Sequence, residues 1–149
     1  MAFAENRKLS MGIDQQLSRR NSMPLVNLAW KDSFFWDGRV HSLRTQALFS
    51  IENETEMDAP LPLVEKRLSL HPAYPSLFKG AFGSREISAE RIGVAIEQFL
   101  LSQTSADSRF DRAVKGEAEL SELEKRGLKL FFTEHDPRRK LYGADCFHC

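Results

Sequence analysis

Ser88-Ala89-Glu90-Arg91-Ile92-Gly93-Val94-Ala95-Ile96-Glu97-Gln98-Phe99-Leu100 decides the fold class. Ser88 has the short side-chain oxygen that caps a helix N-terminus. Ile92, Ala95, Ile96, Phe99 and Leu100 then recur at i, i+3, i+4, i+7 and i+8, the spacing of one helix face. Downstream, Ser121-Glu122-Leu123-Glu124 reads as a capping box opening a further helix, with Leu123, Leu130 and Phe131 on one face and Gly127 among them. Without a side chain, Gly127 would let another helix or a flat group come close. Upstream, His41 to Phe49 reads as a short helix and Leu61 to Leu70 as another, with Pro62 in the first turn. Strand-like alternation is absent, so the expected fold is all-α.

The first forty residues are irregular. Gly12, Pro24 and Gly38 interrupt any helical period, and β-branched residues are too few for strands. Trp30, Phe34, Phe35 and Trp36 nevertheless cluster there. A loop with such rings either folds over its own core or lines a flat aromatic cofactor; the residues alone favour the first. Between the two long helices, Gln103 to Arg109 is a polar stretch that reads as a linker. It divides the chain into a domain of residues 1–105 and a remainder, 106–149, too small for an independent core. That remainder is expected to be the start of a second domain.

Lys and Arg balance Asp and Glu at 21 each, which removes the electrostatic case for nucleic acid or an anionic membrane surface. No apolar run approaches the roughly 20 residues needed to span a bilayer. Met1 to Lys8 lacks the apolar centre of a secretory signal, so the protein is either cytosolic or has its leader upstream. The last four residues, Cys146-Phe147-His148-Cys149, have the C-x-x-C spacing of haem attachment, of half a zinc site or of a redox dithiol. Haem attachment requires a histidine directly after the second cysteine, and His148 lies inside the pair instead. A zinc site would need two more ligands, and His41, His71 and His135 lack pair spacing. His41 and His71 read as a surface and a helix-ending residue, and His135 as a turn residue.

Several blocks in order resemble the di-haem cytochrome c peroxidase and MauG family: Arg20-Asn21-Ser22-Met23-Pro24-Leu25-Val26-Asn27, Phe34-Phe35-Trp36-Asp37-Gly38-Arg39, Ser42-Leu43 with Gln46-Ala47, Asn53 with Glu56-Met57, Phe110-Asp111-Arg112 with Lys115-Gly116, and Cys146 with Cys149. The resemblance implies two cytochrome c-like helical domains with long loops, each carrying a haem c. Aligned on Trp36, the first haem-attachment motif would fall just before Met1, and Cys146 and Cys149 would be the covalent anchors of the second haem. The chain is then expected to be the inactive stretch between two haem motifs, its domain boundary after Gln103.

By the same resemblance the parent protein is a periplasmic oxidoreductase that reduces hydrogen peroxide to water. Its electrons come from a small donor protein such as a cytochrome c or a cupredoxin and pass between the two haems. A homodimer and MauG-like oxidation of a protein partner both belong to the family's range. Glu56 matches a glutamate that takes a proton from hydrogen peroxide and returns it to the departing oxygen. Gln46 matches a glutamine that hydrogen-bonds bound peroxide or water. Where the family often has proline, Ser50 stands four residues later and makes the pocket roof more polar. Trp36 matches a tryptophan that relays electrons between the haems, and Asn21 an asparagine that helps bind calcium. Residues 1–20 contain no histidine to block the first haem, which implies direct access for peroxide. The alternatives are a non-catalytic electron-transfer cytochrome domain, a helical binding module, or a cytosolic metal or redox protein using Cys146 and Cys149.

Overall fold

The computed structural model of the chain describes residues 5–148. They contain six α-helices: α1 (Leu43–Glu52), α2 (Leu61–Leu70), α3 (Tyr74–Phe82), α4 (Ala89–Ser102), α5 (Arg109–Val114) and α6 (Glu122–Phe132). The chain divides into two compact units, Met1–Thr104 and Ser105–Cys149. The helical class holds. The absence of strands does not, because His135–Asp136 (β1) and Leu141–Tyr142 (β2) form a two-residue antiparallel pair with His135 opposite Tyr142. His135 therefore lies in a strand rather than a turn. The pair is too short for side-chain alternation to be visible in the sequence.

The start signals act where the residues place them. Ser88 Oγ accepts from the Arg91 amide, and Ser121 forms the full reciprocal box with Glu124. In α1, Ser42 is the cap and the helix starts at Leu43, two residues later than His41, then runs on to Glu52. His71 ends α2, its N–H bonded to the Leu68 carbonyl. Helix α3 was hidden in the sequence by Pro75 and Gly80; the proline sits in its first turn, where no donor is lost. Helix α5 begins at Arg109, the last residue of the polar stretch that reads as a linker, and is held by a second capping box between Ser108 and Asp111.

The Met1–Thr104 unit has two apolar clusters. One joins Leu28, Phe34, Val40, Leu43 and Leu100; the other joins Ile51, Phe78, Ile87 and Ile92. Ile96 packs against both, so α4 is the shared wall. Its buried stripe is Ile92, Gly93 and Leu100 with Ile96 partly covered, while Ala95 and Phe99 are exposed. The stripe is rotated from the expected one because Gly93 admits α1. A Cβ at Gly93 would lie 2.6 Å from Arg44 Cγ. Arg44 crosses at that point to Glu97, with Nη2 to Oε2 at 2.9 Å.

The first forty residues contain short 3-10 turns at Ile13–Gln15 and Leu28–Trp30, with isolated bridges Met11 to Leu17 and Phe34 to Val40. Gly38, at φ +67, closes the second of these loops. Within Ser105–Cys149, Arg109 reaches Glu124 at 3.4 Å and ties α5 to α6. The β1–β2 turn is held by Asp136 Oδ1, which accepts from the Arg138 and Arg139 amides. A Cβ at Gly127 would meet nothing within 4 Å. Leu123, Leu130 and Phe131 on that helix are all exposed.

Candidate functional site

A cavity of about 1230 Å³ in the Met1–Thr104 unit is lined by residues 18–25 and 30–39, together with Ser10, Leu28, Gln46, Ser50, Asn53, Thr55 and Glu56. The lining comes from the irregular N-terminal loops on one side and from α1 and its C-terminal turn on the other. Four residues singled out in the sequence, Asn21, Trp36, Gln46 and Glu56, all border it. The volume exceeds the roughly 300–1,000 Å³ of common small-molecule pockets.

The two readings of the aromatic loop divide by residue. Phe34 is buried in the core and Phe35 packs partly against it. Trp30 and Trp36 line the cavity and are 72% and 62% exposed. Two large apolar rings left open at the cavity suit a broad flat partner such as a haem macrocycle. The residues present therefore suit the cofactor that the sequence implies.

Trp36 is anchored by its indole N–H, which donates to the Asn21 carbonyl at 2.8 Å. Asn21 is in turn fixed through its side chain. Its Oδ1 accepts from the Ser22 amide at 2.7 Å and from Ser10 Oγ at 3.2 Å, and its Nδ2 donates to the Glu5 carbonyl at 3.1 Å. Asp37 next to Trp36 receives Arg20 at 2.8 Å and Arg39 at 2.8 Å. Burial pushes the Asp37 carboxyl up, but hydrogen bonds from Arg39 and Arg20 outweigh it and hold the group below the usual carboxylate value. The Arg39 guanidinium also lies 3.6 Å from the Phe35 ring centroid, a cation–π contact that stiffens this wall.

On the opposite wall, Gln46 projects from α1 and its Nε2 donates to Ser50 Oγ at 3.3 Å. The serine that stands in place of proline thus engages the glutamine amide directly. Glu56 sits in the turn after α1, half-buried, and its Oε1 accepts from Asn53 Nδ2 at 3.0 Å. The Asn53 contact was not anticipated from the sequence. Its signal is the Asn53-x-x-Glu56 spacing, which lets a turn-forming asparagine reach the side chain three residues on.

Cys146 lies in a 3-10 turn, Cys146–His148, and is exposed. Its Sγ donates to the Ala144 carbonyl at 3.4 Å. Phe147 beside it stacks with His148 at 4.1 Å between centroids and approaches Phe132 at 6.1 Å. Cys149, the other half of the pair, lies outside the described residues. Among the described residues, no group of three or more His, Cys, Asp or Glu is placed to hold a metal ion. No helix among them is long and apolar enough to cross a membrane.

The family model for di-haem cytochrome c peroxidase matches residues 1–119. The methylamine utilization protein MauG of Methylorubrum extorquens is 40% identical over 114 residues, covering 75% of this chain and 32% of that protein. The cytochrome c551 peroxidase of Pseudomonas aeruginosa is 35% identical over 131 residues, covering 86% and 38%. That of Nitrosomonas europaea is 33% identical over 150 residues, covering 100% and 42%. A crystal structure of a MauG-like protein associated with microbial copper homeostasis superposes with a TM-score of 0.85 at 29% identity, over 97% of this chain and 41% of the other. The chain thus spans between about a third and two fifths of the length of these relatives.

Proposed function

This chain belongs to the di-haem cytochrome c peroxidase family, and from that premise we propose that the cavity of the Met1–Thr104 unit is the peroxide-reducing site of a two-haem oxidoreductase. The observation that carries the reading is that Glu56 and Gln46 border the same large cavity as the open rings of Trp30 and Trp36. Haem c, when bound there, supplies the redox centre that delivers electrons to hydrogen peroxide. Glu56 takes a proton from one peroxide oxygen and returns it to the other as the O–O bond breaks. With two electrons and two protons the products are two waters. Gln46 keeps a side-chain carbonyl and a second amide proton for hydrogen bonds to peroxide, while Ser50 holds the first. Trp36, held on the cavity wall by the Asn21 carbonyl, serves in this reading as the electron relay.

In this reading residues 1–105 are the peroxidatic domain, and 106–149 begin the electron-transfer domain whose haem c is anchored by Cys146 and Cys149. A small donor protein, cytochrome c or cupredoxin, supplies the electrons, and the location is periplasmic. A calcium ion at Asn21 would take Oδ1 as one of its roughly 6 to 8 oxygens. That oxygen would then give up its bonds from Ser22 and Ser10.

The test is Glu56→Gln in the full-length, haem-loaded protein. Peroxide turnover should fall by about 100-fold or more, the scale of a lost general acid-base. Near-normal turnover in that variant would overturn the assignment of Glu56, whereas no peroxide turnover in the unsubstituted holoprotein would favour a non-catalytic electron-transfer cytochrome domain.

A further inference from the structure

The turn that carries Glu56 is unusually well tied to its surroundings. Asn53 ends α1, its N–H donating to the Phe49 carbonyl at 2.9 Å. Its own carbonyl accepts from the Glu56 amide at 2.9 Å and the Asp58 amide at 3.0 Å. Its side-chain Oδ1 accepts twice from Thr55, from the amide and from Oγ1, both at 3.0 Å. Its Nδ2 donates to Glu56 Oε1 at 3.0 Å.

A second element presses on the same turn from the N-terminal loop. The Ile13 amide donates to the Glu56 carbonyl at 2.8 Å. A Cβ at Gly12 would lie 1.9 Å from the Thr55 carbonyl oxygen and 2.9 Å from Glu56 Cα, so only glycine lets the loop come this close. The Glu56 backbone is therefore fixed from both sides. The remaining freedom is in its side chain, and the Asn53 amide removes it.

We propose that Asn53 is the positioning residue for Glu56. Its donor occupies Oε1 and holds the carboxylate so that Oε2 is presented to the substrate proton. The two halves of the Asn53 side chain then have separate duties. Oδ1 builds the turn through Thr55, and Nδ2 aims the base. Aspartate at this position would keep the first and lose the second, at nearly the same volume, and would place a second carboxylate against Oε1. The inference rests on the proposed proton-transfer role of Glu56.

A double-mutant cycle in the full-length, haem-loaded protein tests it. Asn53→Asp should lower kcat about tenfold with KM for peroxide unchanged and only a small drop in thermal midpoint, since the turn is retained and the cost is confined to the two facing carboxylates. In a Glu56→Gln background the same substitution should cost nothing further. A purely structural Asn53 predicts the reverse: unchanged kcat in Asn53→Asp, or an equal loss in both backgrounds. Either result overturns the inference, whereas near-normal turnover in Glu56→Gln alone overturns the role of Glu56 itself. A readout independent of turnover is amide exchange of the Asn53 side chain in the 149-residue chain. One Nδ2 proton should be protected, and Glu56→Ala should remove that protection. Equal exchange in both would show that the aiming contact does not form.

Discussion

Met1–Thr104 holds ten buried hydrophobic side chains in its described residues, whereas none of the described residues of Ser105–Cys149 is buried. The first unit is organised by long-range packing: α1 against α4, with the N-terminal loops closing over Leu28, Phe34 and Leu100. The second is organised by local devices, namely two capping boxes, an aspartate-held turn and the Arg109 to Glu124 pair. On α6, Leu123, Leu130, Phe131 and Phe132 are exposed. The difference teaches that the proposed site lies in the unit with the buried core, its lining shared between the N-terminal loops and α1 with its C-terminal turn.

The sharpest way to break this contrast is a matched pair of truncations. Leu100→Ala, which opens the first cluster, should cost about 3 kcal/mol. Leu123→Ala, on a side chain 79% exposed, should stay within about 0.5 kcal/mol. Urea unfolding followed by tryptophan fluorescence reports the first unit, since Trp30 and Trp36 both lie in it; amide exchange along α6 reports the second. Similar losses for the two variants would show that both units depend on burial. A smaller effect is expected from Ser121→Ala, about 1 kcal/mol, seen as faster exchange in the first turn of α6 and little change in α4.

The smallest expected effect is a pH response of the caps. The Ser108 hydroxyl and amide hold the Asp111 carboxyl below its ordinary value of 3.8, and those of Ser121 hold the Glu124 carboxyl below 4.5. Because the folded values are lowered, the caps stabilise fully above those ordinary values and fade as pH falls through the lowered folded ones. The Ser108 and Ser121 amide proton resonances should therefore shift together on acidification below about pH 4, while those of Ile92 and Leu100 hold. Core amides that move with them would mean that acid acts on the whole fold rather than on local caps.

Legibility in the sequence followed the range of the forces involved. Ser88, Ser121 and the Leu61–Leu70 helix could be read because caps and first-turn prolines act within a few residues. Helix α3 could not, since Pro75 and Gly80 mask a segment stabilised by Phe78 entering the second cluster. The buried face of α4 lies one step from the face that hydrophobic spacing marks, because spacing does not reveal that Gly93 is the point of helix contact. The aromatic loop read as two alternatives; the structure buries Phe34 in the core and leaves Trp30 and Trp36 open on the cavity.

The sequence by itself determined the helical class, the main helix starts and, through ordered motif blocks, a family and a set of residues worth attention. Each of these is encoded in short windows or fixed spacings. The tertiary structure alone decided that Asn21, Trp36, Gln46 and Glu56 border one cavity, and that Asn53 and the Gly12 loop grip the turn bearing Glu56. These arrangements depend on where loops come to rest against α1, set by non-local packing that no local pattern records.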